Sequence, residues 1–373
     1  TMPHRNDVRA VTVPGCVDGW QALQDRFGSL PLTTILEPAR RLAEDGFPAS
    51  PLLAGAVSFL GEAGRAQLTE LVTQAVRPGA RVRRPGVART LAAIASGGRD
   101  GFYLGEFGEG LLVVGDGLFT PSDLRSSSAE WVAPLSREVF GVELHTMPPN
   151  SQGYLALGGA RLAAAVGVPR APQTDEWAHV LIEASTAAGH DRPAQLHDGA
   201  DGEELLRLLE QRVDAVDPVR ASDRWAPHAD GDTTYLCTMG TGGDGRRMGV
   251  SLIQSNASGF GSHLVEPSTS INLHNRGLGF SLEAGHPAEL APGRRPPHTL
   301  LPMLATEDGA LRAVLGTMGG DAQPQIMLQV ATRLFHHGQS PASAINAGRW
   351  KLAGADTGFD TWTTPGGPLV AVG

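Results

Sequence analysis

Apolar residues recur at helical spacing through the first part of the chain. Val17, Trp20, Leu23 and Phe27 lie three or four positions apart and predict a helix over 17–27. A second helix is predicted over 37–44, with Pro38 in its first turn and Gly46 ending it. The same spacing predicts helices over 88–96, 152–166, 177–189 and 203–213. Periodicity is then lost over 214–232, where Asp214-Ala215-Val216-Asp217-Pro218 and Trp225-Ala226-Pro227-His228-Ala229-Asp230-Gly231-Asp232 read as a linker, expected to be mobile. From Thr233 the pattern is strand-like: 234–238, a glycine-rich turn at Gly240-Thr241-Gly242-Gly243-Asp244-Gly245, then 248–254. Such a hairpin puts the start of its first strand beside the end of its second. A further strand is predicted over 311–315, followed by Gly319-Gly320 and a helix over 325–337. The chain therefore divides into a mostly helical part, 1–232, and a part of strands with packed helices, 233–373. Together they predict a layered α+β fold.

Composition narrows the function classes. The chain has 373 residues, of which 41% are hydrophobic and 18% charged, and none of its apolar runs approaches the roughly 18 residues of a membrane span. A net charge of −9 with scattered arginines speaks against nucleic acid, because phosphate binding wants clustered Lys and Arg. Arg40-Arg41, Arg246-Arg247 and Arg294-Arg295 are too short to make a basic stripe. Cys16 and Cys237 are far apart and make no metal spacing. Cys237 sits in an apolar run and is expected to be a small buried hydrophobe. His336-His337, at a predicted helix end, read as capping charges. With no His-x-x-x-His and no carboxylate cluster, neither a metal nor a cofactor is expected. Thr1-Met2-Pro3-His4 carries neither a basic nor an apolar leader region, so a cytoplasmic location is expected.

Thr233 is the residue with chemical potential. Were the Asp232–Thr233 bond cut, Thr233 would hold a free α-amine beside its own hydroxyl. An amine of pKa about 7.7–8 can act as base for that hydroxyl, giving a self-contained nucleophile. The local pattern alone also describes an ordinary threonine that starts a strand after a Gly-Asp turn.

The wider motif order distinguishes these readings. Downstream come Val250-Ser251-Leu252-Ile253-Gln254-Ser255-Asn256-Ala257-Ser258-Gly259-Phe260-Gly261-Ser262, Pro292-Gly293-Arg294-Arg295-Pro296 and Gly316-Thr317-Met318-Gly319-Gly320-Asp321. Upstream lie Val13-Pro14-Gly15, Phe27-Gly28, Leu36-Glu37-Pro38-Ala39-Arg40-Arg41, Gly101-Phe102-Tyr103-Leu104-Gly105 and Asp123-Leu124. Pro148-Pro149-Asn150-Ser151-Gln152-Gly153, Glu183-Ala184 and Asp191-Arg192 complete the order. Over nearly its whole length the chain resembles the γ-glutamyltransferase (γ-glutamyltranspeptidase) family of N-terminal-nucleophile hydrolases.

That resemblance implies a four-layer αββα sandwich and a precursor that cleaves itself between Asp232 and Thr233 into large and small subunits. Thr233 would attack an acyl amide, and the acyl-enzyme would be resolved by water or an amine. Gly319 and Gly320 match the glycines whose N–H groups hold the oxyanion, though a bare Gly-Gly is also a common turn. Gln254-Ser255-Asn256 stands at the family's Thr-x-Asn, so Gln254 takes the place of the threonine that supports the nucleophile and Asn256 keeps the substrate amide. In the substrate pocket Arg276 stands at the place of a glutamine, Gly279 at that of an acid, and His298 with Thr299 at that of a serine pair. Arg276, His298 and Thr299 suit either a carboxylate or carbonyl at the far end of the acyl group, or structural hydrogen bonds. The loss of an acid for an α-ammonium makes ordinary γ-glutamyl binding, as in glutathione metabolism, costly. The expected substrate is a small acyl amide or a γ-glutamyl compound, with acylase-like and oxamate-hydrolase-like activity or a non-catalytic scaffold as alternatives. Family members also carry opening and closing segments beyond these motifs, so the chain reads as an internal part of a longer protein.

Overall fold

Helical spacing over 17–27 materialises as α1 (Cys16–Phe27), and α2 (Leu32–Asp45) follows it. The computed structural model describes residues 2–222, 232–352 and 369–372. Pro38 lies well inside α2, six residues after Leu32 rather than in the first turn, and Gly46 ends the helix at φ +93°, a backbone region that favours glycine. After three short helices within 51–74 come the longer α3 (Pro85–Tyr103), kinked at Gly98 (φ +57°), and α4 (Glu106–Gly115). These helices belong to one compact unit, Met2–Trp131 with Gly259–Gly277. Its core gathers Val17, Ile94, Phe102, Tyr103, Phe107, Leu111 and Leu124.

A buried carboxylate ties several segments of this unit together. Asp18 accepts N–H groups of Ser128 and Ala129 (2.5 and 3.0 Å), the Ser127 hydroxyl (3.0 Å) and Arg99 Nε (2.9 Å). Burial alone would raise its pKa, but those hydrogen bonds and the Arg99 charge outweigh it and hold Asp18 below the usual carboxylate range.

The second unit, Val132–Ser258 with Leu278–Gly373, holds both strands and helices. It opens with a hairpin that helical periodicity conceals, β1 (Leu135–Val139) and β2 (Val142–Thr146), joined at Phe140 and Gly141 with φ of +56° and +80°. Helices α5 (Gly153–Val166), α6 (Asp175–Gly189) and α7 (Gly202–Glu210) follow. The expected linker begins as a turn, with Asp217 Oδ1 accepting the N–H groups of Val219 and Arg220; residues 223–231 lie outside the described residues. Then come the long antiparallel pair β3 (Asp232–Thr241) and β4 (Arg247–Ala257), and β5 (Met303–Glu307) with β6 (Ala310–Leu315). Helix α8 (Gln323–Ala331) passes into a π-helical turn, Thr332–His336, before β7 (Arg349–Leu352).

One antiparallel sheet runs β1-β2-β5-β6, with Leu144 opposite Ala305 and Leu304 opposite Val314. Its central pairing joins β2, from before residue 232, to β5, from after it. Helix α5 is buried almost all round, and Gly158 lets Leu209 of α7 approach where a Cβ would stand only 2.5 Å from its Cδ1. Three buried glutamines tie α8 to neighbouring backbone. Gln323 Oε1 accepts Leu301 N–H (3.1 Å), Gln325 Oε1 accepts Leu352 N–H (2.9 Å), and Gln329 exchanges bonds with Trp350 N–H and C=O (3.1 and 2.8 Å). The result is α+β, as the sequence predicts. Among the described residues no helix is long and apolar enough to cross a membrane. Cys237 departs from expectation, because it is exposed rather than buried. His337 does too: burial, with His336 and Arg333 beside it, lowers its pKa and disfavours a capping charge.

One pH effect follows from the 259–277 segment. His274 Nδ1 accepts the Arg276 N–H (3.0 Å), and burial followed by the Arg276 charge pushes its pKa down to about 4. An unfolded histidine takes its proton near pH ~6.5. Between those values the unfolded state binds the extra proton, so stability is lost as pH falls from ~6.5 towards ~4. The His274→Asn substitution keeps an acceptor near the Nδ1 position and does not titrate. It is expected to lessen the fall in urea midpoint between about pH 7 and about pH 5; equal falls in both proteins would contradict this account.

Candidate active site

Thr233 stands second in β3, buried to 9% exposure, where the ladder with β4 is out of step. Asp232 pairs with Ala257 and Thr233 with Ser255, leaving Asn256 as the extra residue of a bulge. The bulge coincides with the peptide bond between Asp232 and Thr233. Ala257 adopts φ +74°, a region alanine rarely enters.

Opposed residues of an antiparallel pair share a face, and that sets the hydroxyl's neighbour. Thr233 Oγ1 donates to Ser255 Oγ (3.2 Å), and Ser255 Oγ also accepts the Ala257 N–H (2.9 Å). Gln254 pairs with Thr234, on the other face of the ladder. Ser255, rather than Gln254, is therefore the side chain against the hydroxyl. Sequence reading passed over it as the middle residue of a three-residue motif, although the register runs unbroken from Thr241–Arg247 to Thr233–Ser255 and counting back from the hairpin finds it.

Tyr235 anchors the head of β3. Its ring occupies the space over Gly316, where no Cβ would fit, and its hydroxyl meets Ser251 Oγ (2.9 Å). Ser251 Oγ in turn bonds Leu315 C=O and Met303 N–H (3.0 and 3.2 Å), so β3 and β4 are fastened to the ends of β5 and β6. Beyond β6 the chain turns through Gly319 (φ +129°) and Gly320 (φ +55°) into α8. Among the described residues, neither glycine N–H donates to a backbone carbonyl.

Behind this turn lies a buried polar cluster. Gln152, fully buried at the N-cap of α5, donates from Nε2 to both Gly320 C=O (2.9 Å) and Thr299 C=O (3.0 Å). Its Oε1 accepts Arg192 Nη1 (2.6 Å). Arg192 Nη1 also lies 2.5 Å from Asp321 Oδ1, but neither Asp321 oxygen receives a well-aligned hydrogen bond among the described residues. A cavity of about 20 Å³, room for one water, adjoins Gln152, Ser185, Arg192 and Asp321.

The remaining predicted residues divide. Thr299 is buried and joined to Gly320 through the Gln152 amide; His298 pairs in a parallel bridge with Ser151, and its Nδ1 accepts the Leu300 N–H (3.2 Å). Arg276 belongs to the helical unit. Gly279 packs so closely on Pro297 that an added Cβ would run into the Pro297 carbonyl, so no side chain fits there without backbone movement. Among the described residues no three His, Cys, Asp or Glu side chains are grouped to hold a metal ion.

Comparison with known proteins places the chain in a family. The Gamma-glutamyltranspeptidase family model matches residues 2–358. A glutathione hydrolase-like proenzyme of Bacillus subtilis is 33% identical over 373 aligned residues, covering 94% of this chain and 68% of that protein. An oxamate amidohydrolase proenzyme of Klebsiella pneumoniae is 34% identical, covering 94% of this chain and 69% of that protein. The crystal structure of a cephalosporin acylase from Bacillus halodurans superposes with a TM-score of 0.80 at 31% identity, over 94% of this chain and 67% of that one.

Proposed function

Because this chain belongs to the gamma-glutamyltranspeptidase family of N-terminal-nucleophile amide hydrolases, we propose that it is cleaved between Asp232 and Thr233 by its own Thr233 hydroxyl. The observation that carries this reading is that hydroxyl, bonded to Ser255 at a bulge falling on the bond to be cut. Thr233 Oγ1 attacks the Asp232 carbonyl carbon, the C–N bond breaks, and the amine is freed as an ester forms. Water then releases the Asp232 carboxylate. The new α-amine takes the hydroxyl proton in each later cycle, Oγ1 attacks the substrate amide, and the proton passes to the leaving amine. Water or an acceptor amine resolves the acyl-threonine.

The oxyanion formed at each attack needs donors that do not reorganise, and the Gly319 and Gly320 N–H groups are our candidates. One such donor is worth about 3–4 kcal/mol in a dry site. Asn256, set out of the ladder by the bulge, is the candidate to bind the substrate's acyl portion. The two products of cleavage stay together, because β1 and β2 from the first share a sheet with β5 and β6 from the second.

Replacing Thr233 with alanine is expected to abolish both processing and turnover, since the hydroxyl serves in each. Ser255→Ala, which removes one hydrogen bond from the nucleophile, should slow both by about five- to tenfold. Denaturing gels and an amidase assay read the two effects, and a processed, active Thr233→Ala protein would defeat the assignment.

For substrate class we favour an acyl amide lacking an α-ammonium. Gly279 leaves no room for an acid. An ammonium stripped of water there would gain no countercharge. The oxamate amidohydrolase among the relatives supports this choice. Glutaryl anilide and γ-glutamyl anilide differ only in that ammonium. The glutaryl compound is expected to give a kcat/KM higher by about tenfold or more; parity, or a preference for γ-glutamyl, would show that another group holds the ammonium.

A further inference from the structure

Two successive glycines are the least self-determined backbone a chain can offer. Each loses more conformational freedom on ordering than any other residue, so a Gly-Gly turn holds one shape only if something outside pins it. A turn whose N–H groups must meet a developing charge without reorganising has a particular need of such a pin.

We propose that Gln152 is a positioning residue for the Gly319–Gly320 turn, held in register by Arg192. The inference rests on the reading that this turn binds the acyl oxyanion. Gln152 Nε2 draws the Gly320 carbonyl into the interior (2.9 Å) and ties it to the Thr299 carbonyl (3.0 Å). Fixing that carbonyl fixes the last peptide of the turn, and with it the direction available to the N–H groups before it. Only an uncharged amide can do this. It donates twice from nitrogen while its oxygen accepts Arg192 Nη1 (2.6 Å), so every proton it has is used.

Arg192 has a second task. Asp321 directly follows the turn, its carboxylate 1% exposed and without an aligned hydrogen bond. An uncompensated carboxylate there would oppose a developing oxyanion, since Coulomb interaction is weakly screened in a buried site. Arg192 Nη1, 2.5 Å away, neutralises it. The neighbouring charges are themselves paired: Asp191 takes Arg212 Nη2 at 2.6 Å. Buried ion pairs are poor sources of net stability compared with apolar residues of the same volume. A role in holding the turn accounts for this pair where stability does not.

The test is Gln152→Glu in the self-processed protein, assayed with the acyl anilide that the parent hydrolyses best. The new carboxylate still accepts from Arg192 but cannot donate to either carbonyl. We expect kcat to fall by about 10- to 100-fold while KM changes by less than about threefold. The ratio of variant to parent kcat should recover in part between about pH 8 and about pH 5.5, as the carboxyl gains a proton and regains one donor. Arg192→Lys, which keeps the charge beside Asp321 but not the planar fork, provides a second variant should the first not accumulate. It is expected to lower kcat at least about fivefold at unchanged KM. A folded variant of either kind with parental kcat would overturn the proposal, as would a loss carried by KM or a Gln152→Glu ratio indifferent to pH. An inactive parent would instead refute the catalytic reading on which the proposal rests.

Discussion

The register between β3 and β4 is the constraint on which the rest depends. Side chains alternate along a strand, so a slip of one residue would turn Thr233 to the opposite face and give its hydroxyl a different neighbour. The unbroken ladder from the hairpin brings Ser255 opposite Thr233, and the bulge at Asn256 breaks the register only beyond it, at Asp232. Tyr235 over Gly316, and Ser251 between Leu315 and Met303, fasten the pair to the sheet. The sequence thus places one hydroxyl by backbone pairing, and the pairing is fixed by side chains further along the same strands.

The sheet itself explains how a chain can be cut near its middle and remain one object. β2 and β5 come from opposite sides of the Asp232–Thr233 bond and pair along Glu143–Thr146 and Met303–Thr306. Buried amides extend the same principle. Gln152 and Gln323 satisfy backbone groups of irregular chain, and Gln325 and Gln329 satisfy those of β7. Because buried backbone must be hydrogen-bonded, an amide with both donors and an acceptor is the economical side chain for joining a helix to irregular chain. At Gln152 the same device reaches the Gly319–Gly320 turn.

Much of this was legible in the sequence. Helical spacing located α1, α5, α6 and α7 to within a few residues, because each carries a stripe of apolar side chains at a period the core reads directly. The β3–β4 hairpin and Thr233 at its head followed from strand-like residues flanking a glycine-rich turn. Other features were hidden for identifiable reasons. β1 and β2 are five residues each, too short for alternation to compete with the helical signal around them, although Phe140-Gly141 marks their turn. Pro38 looked like a helix start, yet packing against α3 carries α2 through it. Cys237 looked buried because strand residues near it are apolar, but its own side chain is exposed. Ser255 follows from counting the hairpin register back from its turn, whereas the link of Gln152, Arg192 and Asp321 joins residues far apart in sequence, and no local pattern encodes it. Gly279 was read as a lost acid, whereas the structure shows that the Pro297 backbone excludes any side chain there.

The account turns on Thr233 being both the first residue of a new chain and the atom that is acylated. The most direct measurement is to trap the purified protein with an acyl electrophile and map the adduct by peptide mass spectrometry. The adduct is predicted on a peptide that begins Thr233-Thr234-Tyr235-Leu236, carried on the threonine hydroxyl and preceded by a cleaved bond. An adduct on another residue, or on a peptide in which Asp232 is still joined to Thr233, would contradict it.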